Sequence, residues 1–112
     1  MAEITDEFMM AMLPKAKTYT AVLLSAGPNR TMDGADKIVW EHGRRNFSLR
    51  AEGVLSVVCP VTDASPLAGI GIFNASEEAT KAIMDADPGV QAGVFVYELH
   101  PCRSFPGDAL PA

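Results

Sequence analysis

Residues 76–106, SEEATKAIMDADPGVQAGVFVYELHPCRSFP, decide the fold, because one short run holds a helix, a turn, a strand and a stop. Ser76 is an N-cap residue, and Glu77 and Glu78 suit the positive end of a helix. Ala79, Ala82, Ile83 and Ala86 follow at the spacing of one helical face, which predicts a small, flat stripe lying on a sheet. Pro88 disfavours helical geometry in the residue before it and Gly89 tolerates the turn that follows, so the helix is expected to stop with Asp87 held at its end. From Gly93 the run GVFVYELH alternates and is rich in β-branched and aromatic residues, the pattern of a strand. Pro101 and Pro106 are expected to end its regular pairing.

Upstream, residues 18–25 (TYTAVLLS) read as a first strand, closed by the turn residues Gly27, Pro28 and Asn29. A helix is expected over residues 36–52. Lys37, Glu41, Arg44, Arg45, Ser48 and Glu52 share its solvated arc, and Ile38, Val39, Trp40, Phe47 and Leu49 lie on the other side. His42 follows Ile38 by four residues and precedes Leu49 by seven, so it belongs with the buried face. Gly43 beside it weakens the helix by about 1 kcal/mol relative to alanine, which points to a kink or a close approach. Gly53 reads as the cap that ends this helix. Residues 54–61 form a second strand with Pro60 near an edge, and residues 67–73 (LAGIGIF) a third. On that third strand Ala68, Ile70 and Ile72 take one face and Gly69 and Gly71 the other, leaving space above the glycines. The order is β-α-β-β-α-β, an α+β chain expected to fold as a ferredoxin-like antiparallel sheet with two helices on one face. Residues 1–17 add a helical extension in which Phe8, Met9, Met12 and Leu13 share a face; a packing helix over the sheet or a partner subunit is expected, with a methionine-rich binding surface as the alternative. Residues 107–112 form a tail after a domain spanning 18–106.

At 112 residues, with 48% hydrophobic and 21% charged, the chain is expected to be one folded domain. A domain of this size buries only about two thirds of its unfolded surface, so pairing with a second copy would hide more of the sheet. A formal net charge of −5 argues against nucleic acid and against anionic membrane surfaces as partners. No apolar run is long enough to span a membrane and the start lacks the basic segment of a secretory signal, so a cytoplasmic location with reduced cysteines is expected. Cys59 and Cys102 do not form a disulfide framework or a zinc signature.

DADPGVQAGVFVYELHPCRSFPGD, residues 85–108, resembles the C-terminal signature of the YCII-related family: an acidic residue, Asp-Pro, a link ending in Ala-Gly, an apolar strand and a closing proline. Across residues 18–106 the rest of the match is pattern, a helix bearing a histidine and a glycine-containing strand. The resemblance implies a ferredoxin-like fold paired as a dimeric α+β barrel, and it carries a functional pair onto His42 and Asp87. The family's second strand closes with Gly-Pro, whereas this chain has Cys59-Pro60, a departure expected to set a thiol at a pocket mouth. Packing two sheets face to face is also the economical way to cover a free sheet face.

A carboxylate beside an imidazole fixes its tautomer and stabilises the imidazolium, giving a general acid/base. The bland reading of each residue stands beside this one: a histidine on an apolar face as a satisfied core residue, and an aspartate before proline as a turn or cap residue. His100, Cys102 and Cys59 do not make a coherent metal set, Arg44 and Arg45 read as solvated charges or an anion clamp, and no cofactor is expected. Trp40, Phe73, Phe95 and Tyr97 read as core or interface aromatics. Three function classes follow. The first is a cofactor-independent lyase or isomerase that moves a proton on a small organic compound, the class of the family's dehydrochlorinase and of muconolactone isomerases on the same fold. The second is a non-catalytic dimeric module binding a small ligand or a protein, and the third an oxygen-dependent monooxygenase.

Overall fold

A computed structural model describes all 112 residues as an α+β fold built on a four-stranded antiparallel sheet. Strands β1 (Lys17–Ala26), β2 (Leu55–Pro60), β3 (Leu67–Phe73) and β4 (Phe95–Ser104) lie in the order β2-β3-β1-β4. Helix α1 (Asp6–Met12) precedes β1, α2 (Ala35–Ala51) joins β1 to β2, and α3 (Glu77–Asp85) with the short α4 (Pro88–Gln91) joins β3 to β4. This arrangement is compatible with the expected ferredoxin-like fold. No helix is long and apolar enough to cross a membrane.

Strand alternation sets which face holds the core. Thr20, Val22 and Leu24 of β1 are buried, and they sit opposite Phe73, Gly71 and Gly69 of β3. Leu55 and Phe95 close the same layer from the two edge strands, and Met84 enters it from α3. The intervening residues Ala21, Leu23, Ile70 and Ile72 point the other way and are only half-buried.

Helix α2 buries Ala35 and His42 and half-buries Ile38, Val39, Arg45, Asn46 and Leu49, a stripe at three- and four-residue spacing. Trp40 and Phe47, expected on that side, are instead 69% and 61% exposed. Each lies five residues beyond a stripe member, about 140° round the helix, which carries it off the sheet. Arg45, expected on the solvated arc, belongs to the inner stripe, three residues after His42 and seven after Ile38. Gly43 produces no break, since the helix runs unbroken from Ala35 to Ala51. Gly53, at φ 79°, follows the C-cap Glu52 and turns the chain into β2.

Three expectations for residues 76–106 are corrected. Ser76 caps α3 as expected, its hydroxyl accepting from the Ala79 N–H at 3.1 Å, but the buried face is Thr80, Ile83, Met84 and Asp87, and not the alanine stripe. Thr80 can be buried because its hydroxyl donates to the Ser76 carbonyl at 2.8 Å. Pro88 does more than stop α3: it opens α4 at the first helical position, where its missing N–H costs nothing. β4 continues through Pro101, which pairs with Thr20, to Ser104. An edge strand tolerates this because one side of its backbone has no ladder to complete.

Helix α1 is capped by Thr5, whose hydroxyl accepts from the Phe8 N–H at 3.1 Å, yet it buries no residue. Phe8, Met9 and Leu13 are 49%, 44% and 56% exposed, so the helix does not pack over its own sheet. Pro14 sits in a 3₁₀ turn (Leu13–Lys15) that leads almost directly into β1, leaving no loop long enough to fold α1 back.

Candidate functional site

The helical spacing that buries Thr80 and Met84 delivers Asp87 to the core, and the spacing that buries Ala35 delivers His42. They meet there: Nδ1 of His42 lies 2.8 Å from Oδ1 of Asp87. Asp87 is 1% exposed and His42 8%. The Phe95 ring packs against the imidazole, with centroids 4.8 Å apart and planes inclined at 52°.

Asp87 is the N-cap of α4. Its Oδ2 accepts from the N–H groups of Gly89 at 2.9 Å and Val90 at 3.2 Å, leaving Oδ1 for the imidazole. Gly89 is required at this place, because a Cβ there would collide with the Phe95 ring and the Asp87 carboxylate. The Arg45 guanidinium donates to the Ile83 carbonyl at 2.8 Å and stands 3.6 Å from Asp87 Oδ1, a second positive group beside the carboxylate. Burial pushes the Asp87 carboxyl up. The hydrogen bond from His42, its charge, and the amides of Val90 and Gly89 together outweigh burial and hold the carboxyl below its ordinary 3.8.

A carboxylate at Nδ1 fixes the neutral imidazole as the Nδ1–H tautomer and leaves Nε2 with a lone pair. Asn46, one turn further along α2, donates its Nδ2 to that Nε2 at 3.2 Å. A three-membered chain Asp87–His42–Asn46 thus runs from the core to the wall of a cleft of about 780 Å³. The cleft lies between α2 and the β2–β3 side of the sheet, and fifteen of its 24 lining residues are hydrophobic. Gly69 and Gly71 form part of its floor, Arg50 and Cys59 line it, and the tail residues Asp108 to Leu110 complete its rim. Chemically, a lone pair on Nε2 backed by a buried carboxylate is a proton acceptor, and the same ring once protonated is a donor.

His42 and Asp87 were legible in the sequence and are brought together. Cys59 does stand at the pocket as expected of the Cys-Pro departure, exposed and unbridged. His100 and Cys102 lie on β4, at the far edge of the sheet from Cys59 on β2, so the three do not converge. His100 pairs instead with Glu98 at 3.2 Å. Asn46 and Arg50 were missed as site residues, and Arg45, read as a solvated charge or part of an anion clamp, stands instead beside Asp87. The available signal was the helical period: Asn46 and Arg50 follow His42 by four and eight residues.

A second polar cluster lies at the end of α3. Tyr97 donates to Asp85, whose other oxygen takes Lys81 at 2.6 Å. The Lys81 hydrogen bond and then that of Tyr97 lower the Asp85 carboxyl, while burial and Asp85 raise the Tyr97 phenol. These groups fasten α3 to β4 outside the cleft.

Among known proteins, no family model matches the chain, and no curated protein matches it.

Proposed function

We propose that the protein is a small cofactor-independent enzyme of lyase or isomerase type, belonging to the YCII-related family and transferring a proton on a small organic compound. His42 is the acid/base. Its Nε2 takes the proton from substrate, displacing the Asn46 contact, and Asp87 stabilises the imidazolium without taking the proton itself. The observation that carries this reading is the 2.8 Å contact between Nδ1 and a buried carboxylate, in a histidine that lines an apolar cleft. Arg45 and the two backbone amides support the role of Asp87, since each favours the anion.

The working form is a homodimer, two sheets packed face to face in the manner of a dimeric α+β barrel. Ala21, Leu23, Val57, Ile70 and Ile72 support it: they make an apolar surface on the side of the sheet away from the core, and Val96 on β4 is 49% exposed.

A screen of small lactones and halogenated phenols tests the enzyme reading, comparing wild type with His42→Ala. Turnover that falls about 10²–10⁴-fold in the variant supports it, the range of a lost general acid/base. Equal rates remove His42 from the mechanism.

A second reading, a non-catalytic dimeric module that binds a small ligand or a protein, is favoured by one contact. With Asn46 on Nε2 and Asp87 on Nδ1, both ring nitrogens of His42 are already satisfied, the state of a structural histidine. Wild-type binding of a compound from the same screen without turnover selects this reading.

A further inference from the structure

Glycine inside a strand or helix weakens it by roughly 0.5–1 kcal/mol relative to alanine, so each one in a regular element calls for a reason. Of nine glycines, Gly34, Gly53, Gly93 and Gly107 have positive φ. At Gly27 and Gly89 a Cβ would strike neighbouring atoms, and at Gly71 it would press on Phe73 and Leu55 at 3.2 and 3.3 Å. Two have no such reason. Gly43, in the middle of α2, has nothing within 4 Å of where a Cβ would stand; Gly69, in β3, has only the Cys59 carbonyl at 3.6 Å and the Pro60 Cα at 4.0 Å. Both have ordinary φ, and both line the same cleft, one on its helical wall and one on its sheet floor.

Two lining positions without side chains, one on the helix and one on the sheet, leave room in the cleft for a flat group. Along its helical wall His42, Asn46 and Arg50 recur every four residues, and Arg50 forms no ion pair. Asp108 of the tail is the one acidic residue in the lining. We infer that the cleft takes a flat, largely apolar ring compound carrying one anionic oxygen group, the ring seated between Gly43 and Gly69 and the anion on the Asn46–Arg50 side. The inference rests on the cleft beside His42 being the working site, and it names the ligand class of that site without depending on proton transfer.

The test uses 2-naphthoate as probe, with decanoate as a flexible chain bearing the same head group. Binding is followed by calorimetry and by the backbone amide shifts of His42, Gly43 and Gly69. Wild type should bind naphthoate more tightly than decanoate, with those three amides shifting. Gly43→Ala and Gly69→Ala should each raise the thermal midpoint by about 2–4 °C, because they relieve a glycine. Each should also weaken naphthoate at least about tenfold, because the methyl group occupies the slot. Arg50→Gln should weaken it while leaving the thermal midpoint in place. No naphthoate binding at millimolar concentration, equal affinity for decanoate, or unchanged affinity in the glycine variants would each overturn the inference. A lowered thermal midpoint would also do so, by giving the glycine a structural reason. His42→Ala separates the two readings: naphthoate binding retained while turnover in the lactone and phenol screen is lost supports both, and slot binding of naphthoate with no turnover in wild type overturns proton transfer while leaving the ligand class standing.

Discussion

Asp87 gives one oxygen to His42 and the other to two backbone amides, so its removal takes away an ion-pair partner and a helix cap together. Asp87→Ala is expected to cost about 3–5 kcal/mol in urea unfolding at neutral pH, the range for breaking a buried pair. Asp87→Asn keeps a capping oxygen and should lose less. The sign of the pH dependence follows from the direction of the Asp87 shift. Its carboxyl lies below 3.8 in the folded protein, so its stabilising contribution is complete above that value and disappears as pH falls through the lower folded value. Wild type and Asp87→Asn should therefore differ in stability at pH 5–7 and draw together in acid; a constant difference would show that the charge of Asp87 contributes nothing. The sequence made this pair legible, because a histidine on an apolar stripe and an aspartate before proline each have a readable local position. Arg45 was not legible. A long cationic side chain on the inner stripe of a helix is read as solvated unless its acceptors are known, and here they come from α3 and α4, 38 residues on for Ile83.

Element positions were legible from capping and periodicity, and the misreadings came from choosing among overlapping periods. In α3 both Ala79-Ala82-Ile83-Ala86 and Thr80-Ile83-Met84-Asp87 have helical spacing, and hydropathy favours the first. The second is the buried one: it puts the long Met84 side chain against the sheet and lets Thr80 satisfy its hydroxyl on the turn behind it. Met84→Ala should accordingly cost about 2–5 kcal/mol, whereas Ala82→Lys should stay within about 0.5 kcal/mol. Chemical denaturation decides it, since the alanine stripe requires the opposite ranking. Pro101 was read as a stop because a proline breaks a central strand. Strand order, which local pattern does not encode, places it on an edge where pairing continues.

At the scale of the molecule, two apolar surfaces have no cover within the chain: the free face of the sheet and the exposed side of α1. Light scattering should give about twice the 11.9 kDa chain mass, and Ile72→Lys, which puts a charge in the middle of that face, should reduce it to one. A wild-type monomer contradicts the barrel. Helix α1 contributes no buried residue, so deleting residues 1–13 should move the thermal midpoint of the remaining domain by less than about 2 °C. A large fall would mean that α1 is packed in the assembly, against the partner subunit. Sequence reading anticipated a packing helix here because amphipathic spacing records only that a face is apolar. What covers the face depends on the length of the following link, which Pro14 and the start of β1 keep short.

The site depends on Asp87 fixing the His42 ring with its proton on Nδ1, so that Nε2 keeps the lone pair that accepts from Asn46. Long-range nitrogen–proton NMR of the neutral imidazole reads this directly, with His100→Gln used to assign the two histidines. His42 should be the Nδ1–H tautomer in wild type and lose that preference in Asp87→Ala. An Nε2–H tautomer in wild type, or one indifferent to Asp87, would contradict it.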